Sequence, residues 1–113
     1  MFVDAHLHMT DPEFDNGYDD ISDAKMLFSC TSEIKEWKLL KKLCKEDSRI
    51  VPFYGVHPWF VNEGINIDEL ESILRTDSRA NIGEIGLDFG KTSLENQTVL
   101  FTEQLGLAEK YNR

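Results

Sequence analysis

Short apolar runs alternate in this chain with longer segments of helical period, and no other feature restricts its fold as much. Met1 to His8 reads as a buried strand and Met26 to Cys30 as a second. After Thr31 and Ser32, either of which can cap a helix, Ile34, Trp37, Leu40, Leu43 and Cys44 recur at helical spacing. That stripe predicts a core-facing helix with Lys35, Lys38, Lys41, Lys42 and Lys45 on its solvated side. A third strand is expected over Arg49 to Tyr54, although Pro52 donates no ladder hydrogen bond. Asn66-Ile-Asp-Glu69 has the form of a capping box opening a helix through Leu70, Ile73 and Leu74 that ends near Arg75. Ala80 to Leu87 reads as a fourth strand. Thr92 with Glu95 then opens a last helix reaching Tyr111, with Leu94, Phe101, Leu105 and Ala108 on one side. Thr10 to Asp20, punctuated by Pro12 and Asn16-Gly17, reads as a loop, followed at most by a short helix around Ile21 to Lys25. Strands separated by helices pair in parallel, because each crossover returns the chain to the same end of the sheet. The expected fold class is α/β, a parallel sheet covered by helices, in one domain spanning residues 1–113.

The charge narrows the function. With 21 acidic and 12 basic residues the net charge is −9, which repels nucleic acid unless a metal or a local basic patch intervenes. This argues against a simple basic DNA-binding module, but leaves room for a metal-dependent enzyme acting on phosphate esters. No apolar stretch is long enough to cross a bilayer, so no membrane partner is expected. The chain enters its first strand without a basic n-region or an apolar h-region. A cytoplasmic location is therefore expected, with Cys30 and Cys44 as free thiols.

In a parallel sheet, ligands gather at the carboxyl ends of the strands. His6 and His8 fall at the end of the first strand and, by its period of two, point the same way, with Asp4 on the same face. Cys30 ends the second strand, His57 follows the third, and Glu84 and Asp88 lie at the end of the fourth. Two imidazoles side by side are half of a metal site, although backbone carbonyls could satisfy them equally well. A carboxylate among Ile82, Ile85 and Leu87 calls for a cation: a metal, or a lysine or arginine. Asp88 suits a site or a turn cap equally. Cys30 reads as structural, and Asp4 as a partner to an imidazole or a strand-end acceptor.

Asp4-Ala-His6-Leu-His8, Gly55-Val-His57-Pro58 and Gly83-Glu84-Ile-Gly-Leu-Asp88-Phe89 together resemble the TatD family of metal-dependent hydrolases, in the amidohydrolase-like TIM-barrel group. The last helix resembles the family's too, with Gln97, Phe101, Gln104, Leu105, Leu107 and Ala108 at its spacing. The His-x-His opening is shared with other phosphoesterase barrels, including the PHP family; the Glu84 stretch is the most specific.

The resemblance implies a (β/α)8 barrel of which this chain supplies the first four β/α units. It implies one or two divalent metal ions (zinc, magnesium or manganese) held by His6, His8 and Glu84, with Glu84 able to bridge to the second. It implies that His57 faces the substrate phosphate, that Asp88 supports the substrate side, and that the reaction is metal-dependent hydrolysis of a phosphodiester, DNA above all. The family's general base and two further ligand histidines belong to the half of the barrel that this chain does not supply. The chain is thus expected to be a piece of a longer enzyme, a half-barrel that self-associates through its open face, or a non-catalytic relative. A hydrolase for another ester or an amide is the remaining alternative.

Overall fold

The computed structural model describes residues 1–16 and 21–113. Its four strands are β1 (Phe2–Leu7), β2 (Ala24–Cys30), β3 (Ile50–Tyr54) and β4 (Asn81–Ile82). They form one sheet in the order β1-β2-β3-β4, and every neighbouring pair is parallel. The helices α1 (Trp37–Glu46), α2 (Asp68–Thr76) and α3 (Leu94–Tyr111) follow β2, β3 and β4. The expected α/β class holds, and the four strand ends that carry the candidate residues face the same way.

One face of the sheet meets the helices. Strand β3 alternates cleanly, with Ile50, Pro52 and Tyr54 buried and Val51 and Phe53 half-buried on the other face. Leu27, Ile50 and Tyr54 pack against Trp37 and Leu40 of α1 and Leu70 and Leu74 of α2, all essentially solvent-free. Trp37 and Tyr54 meet edge to face with ring centroids 6.4 Å apart. On the opposite face the rings of Phe28 and Phe53 meet at a tilt with centroids 5.9 Å apart, and Val3 and Met26 are exposed. Pro52 is tolerated because its carbonyl, and so its ring nitrogen, points towards β4, whose pairing with β3 begins only at Phe53.

Several local expectations are corrected. Ala24 and Lys25, expected in a short helix, already belong to β2; of the expected loop from Thr10 to Asp20, Pro12–Asn16 form a 3-10 helix and residues 17–20 lie outside the described residues. A 3-10 turn (Ile34–Glu36) precedes α1, and Glu33, not Thr31 or Ser32, stands at its start. The Glu36 carboxylate accepts the N–H groups of both Ser32 and Glu33 at 2.7 Å, while Thr31 is used inside the sheet. Asn66 does accept the N–H of Asp68 at 2.7 Å, but Glu69 reaches out to Lys41 instead of closing a capping box. The last helix starts from Ser93, one residue later than the Thr92–Glu95 spacing suggests.

Strand β4 is the largest departure. It pairs over two residues, Asn81 and Ile82, rather than from Ala80 to Leu87. The N–H of Gly83 still donates to Tyr54 O at 3.1 Å, but that of Glu84 crosses past the end of β3 to Thr31 O at 2.9 Å. The crossing passes directly over Gly55. A Cβ there would lie 2.6 Å from the Glu84 carbonyl oxygen and 2.7 Å from the Gly83 carbonyl carbon. Only a residue without a side chain admits that backbone.

Helix α3 also turns a different face inward. Gln97, Leu100 and Gln104 are its buried residues, whereas Leu94 and Leu105 of the expected apolar stripe are exposed. The two glutamines hold loop backbone rather than core, as the site geometry shows.

Candidate metal centre

The parallel register brings three of the predicted residues together. His6 Nε2 and His8 Nε2 are 3.3 Å apart. Glu84 approaches them with one oxygen each, Oε1 at 3.7 Å from His6 and Oε2 at 3.2 Å from His8. All three ligand atoms lie within 4.8 Å of one another. A tetrahedral ion with bonds of about 2.0–2.1 Å sets its donors about 3.3 Å apart, so this donor set fits a divalent metal with little adjustment. Two imidazole nitrogens and one carboxylate suit zinc or a borderline transition ion, and leave coordination positions open.

Glu84 is not enclosed in a strand, as its apolar neighbours suggested. It sits beyond the end of β4 with its side chain 30% exposed. Among the described residues its polar partners are the two histidines and Ser32, whose Oγ donates to Oε2 at 3.4 Å; no lysine or arginine pairs with it. The backbone bond from Glu84 N–H to Thr31 fixes where the carboxylate starts.

The other candidates take supporting positions. Asp4 accepts the backbone N–H of His6 at 3.1 Å and so braces the strand end. The neighbour of the His6 ring is Cys30, whose sulfur lies 3.7 Å from Nδ1. Burial, and secondarily the charge of Glu84, pushes the Cys30 thiol up to about 11, so it stays protonated beside the imidazole. Both cysteines are free, as the sequence suggested.

A cleft of about 600 Å³ opens beside the three donors, lined among others by His8, Ser32, Lys35, His57, Trp59 and Glu84. His57 is held from two sides: its N–H donates to Ser32 O at 2.9 Å, and its Nδ1 accepts the N–H of Trp59 at 3.1 Å. Because Nδ1 is an acceptor, the ring proton sits on Nε2. Asp88 is not gathered with the metal donors. Its carboxylate accepts the indole N–H of Trp59, and its backbone is clamped by Gln97, which accepts from Asp88 N at 2.8 Å and donates to Asp88 O at 2.9 Å. Sequence reasoning missed Trp59 and Ser32 as cleft residues. Trp59 was in view within Gly55-Val-His-Pro-Trp-Phe60, but only the loop geometry shows that half of it faces solvent beside His57, at a ring distance of 5.3 Å.

A family model for TatD-related DNases matches residues 3–113. The chain belongs to that family. No curated protein sequence matches it with significance. Among solved structures it is similar to YjjV, a TatD homologue of Escherichia coli K12, with a TM-score of 0.83 at 24% identity. That likeness covers 98% of this chain and 48% of YjjV, so this chain spans about half the length of its structural relative. Its four parallel strands and their helices are half of a TatD-type TIM barrel. No helix among the described residues is long and apolar enough to cross a membrane.

Proposed function

We propose that this chain supplies the metal-binding half of a TatD-type site that hydrolyses phosphodiesters, with DNA as substrate. The observation that carries the reading is the convergence of His6, His8 and Glu84 donors within 4.8 Å, at the edge of the cleft that His57 lines. The chemistry a divalent ion supplies in such a site is polarisation of a phosphoryl oxygen and activation of water.

The remaining work falls to the chain's own residues. His6, His8 and Glu84 hold the ion, and Ser32 and the Glu84–Thr31 backbone bond orient the carboxylate. His57, fixed through its Nδ1, offers its Nε2–H as a donor to a non-bridging phosphate oxygen. Asp88 acts on the substrate side through Trp59, by holding the indole that forms a wall beside His57. The general base comes from the other half of the barrel.

The test is cleavage of DNA, with magnesium, manganese or zinc, by this half-barrel completed with the second half of a TatD-type barrel. Cleavage that needs metal, and that Glu84→Ala and His57→Ala each abolish, is the expected result. A completed barrel that binds metal and cleaves no DNA under any of these ions contradicts it.

A second reading has its own observation. Val3 on the edge strand, and Met26 paired with it, are exposed apolar residues on a face that a complete barrel would cover. That favours a half-barrel module that self-associates without catalysis, and a stable oligomer of this chain alone by sedimentation, inactive with every ion, would support it.

A further inference from the structure

Five of the twelve basic residues of this acidic chain fall between Lys35 and Lys45. The structure arranges them. Lys38, Lys42 and Lys45 are exposed on α1 and, at about 100° per residue, lie within about 60° of arc on one ridge. Lys35, in the turn just before α1, continues that ridge at the site end. It lines the cleft beside the metal donors and also a surface groove of about 590 Å³ shared with Lys38, Lys42 and Lys45. Cleft and ridge are therefore continuous through one side chain.

Two of these lysines already face carboxylates, Lys35 with Glu33 at 2.6 Å and Lys42 with Glu46 at 3.6 Å. Their side chains are 74% and 70% exposed, so the pairs are solvated and easily exchanged for a phosphate. Lys38 and Lys45 have no carboxylate in ion-pair reach among the described residues. From Lys38 to Lys45 the helix rises about 10 Å, the length of about three phosphates along one strand at about 3.4 Å each.

We propose that the Lys35–Lys38–Lys42–Lys45 ridge is a phosphate-backbone track that guides a DNA strand into or out of the cleft. This rests on the reading of the cleft as a DNA site and deepens it: the substrate is a polynucleotide gripped beyond its scissile bond, rather than a small diester. The local cluster answers how a chain of net charge −9 holds a polyanion, since counterion release depends on the few cations in contact and not on the total.

The test is the salt dependence of binding of a fluorescently labelled single-stranded 20-mer, ~20 nucleotides and so longer than the track. Anisotropy is read in EDTA, so that nothing is cut and the metal ligands play no part. The parent is compared with Lys38→Gln/Lys42→Gln/Lys45→Gln and with an off-ridge control carrying the same charge change, Lys25→Gln/Arg75→Gln/Lys110→Gln. At about 0.7 per phosphate for single strands, the ridge variant is expected to lower the slope of log K against log salt by about 2, while the control stays with the parent. Equal slopes in all three, equal losses in both variants, or no binding by the parent at low salt each overturns the proposal. Cleavage assays with metal fail or succeed independently of these slopes, so loss of the nuclease reading is seen separately.

Discussion

The buried amide of Gln104 grips the backbone of Val56, its oxygen accepting the Val56 N–H at 2.8 Å and its nitrogen donating to the Val56 carbonyl at 3.4 Å. The residue that follows is His57. Gln97, about two turns earlier on the same face of α3, does the same for Asp88. Helix α3 thus serves as a clamp for the two loops that border the cleft, and its inward polar face is part of the site's construction.

Gln104→Leu keeps the volume and removes the clamp. It leaves a buried N–H and C=O unpaired, which costs about 2–3 kcal/mol in all. Chemical denaturation should show that loss, and the His57 ring resonances should broaden as its loop loosens.

Gly55→Ala tests the crossing of Glu84 over β3. The new methyl would meet backbone at 2.6 and 2.7 Å, atoms that cannot swing aside as a side-chain tip can. Overpacking of this kind costs about 1–3 kcal/mol, and because the displaced backbone is that of Glu84, metal affinity should fall together with melting temperature. A variant that melts lower but binds metal like the parent would show that the carboxylate is placed by other contacts.

The Asp47–Arg49 pair sets an acid-dependent term. Hydrogen bonds from the Arg49 guanidinium, at 2.7 to 3.1 Å, hold the Asp47 carboxyl below its usual range. A carboxylate whose folded pKa is depressed stabilises the fold above its unfolded value of about 3.9, and that contribution disappears as pH falls through the folded value. Asp47→Asn should therefore cost about 1 kcal/mol at neutral pH, and the gap to the parent should close in acid. Denaturation curves across that range measure it; a gap that persists at the acid end would locate the effect elsewhere.

The parts of the site legible in the sequence were those fixed by short-range geometry. A period of two puts His6 and His8 on one side of the chain, and the parallel strand order brings both to the end where Glu84 and His57 arrive. What could not be read was set by contacts between distant segments. Glu84 looked like a residue inside a strand because Ile82, Ile85 and Leu87 flank it; its N–H instead finds Thr31, a partner 53 residues back in the chain, counting 84 − 31. The stripe of Leu94, Phe101, Leu105 and Ala108 looked like a core face. The face that turns inward is instead that of Gln97, Leu100 and Gln104, whose two amides pair loop backbone groups that would otherwise be buried unsatisfied.

Cys30 belongs to the same class. Its place at the end of β2 was visible, but its contact with His6 depends on how β1 pairs with β2, whose register is irregular between Asp4 and Leu7. Removing an outer partner of a ligating imidazole lowers metal affinity about 10–100-fold, and a thiol at 3.7 Å is a weak one. Cys30→Ala should weaken divalent metal binding by about tenfold, at the low end of that range, with little change in fold.

The most direct measurement is calorimetric titration of zinc and manganese into the parent and into His6→Ala, His8→Ala and Glu84→Ala, with circular dichroism on the same samples. The three donors within 4.8 Å predict that the parent takes up a divalent ion. Each variant should bind it more weakly by more than the roughly 10–100-fold that an outer partner is worth, with the spectrum unchanged. Folded variants that bind metal as the parent does would contradict the assignment of His6, His8 and Glu84 as a metal centre.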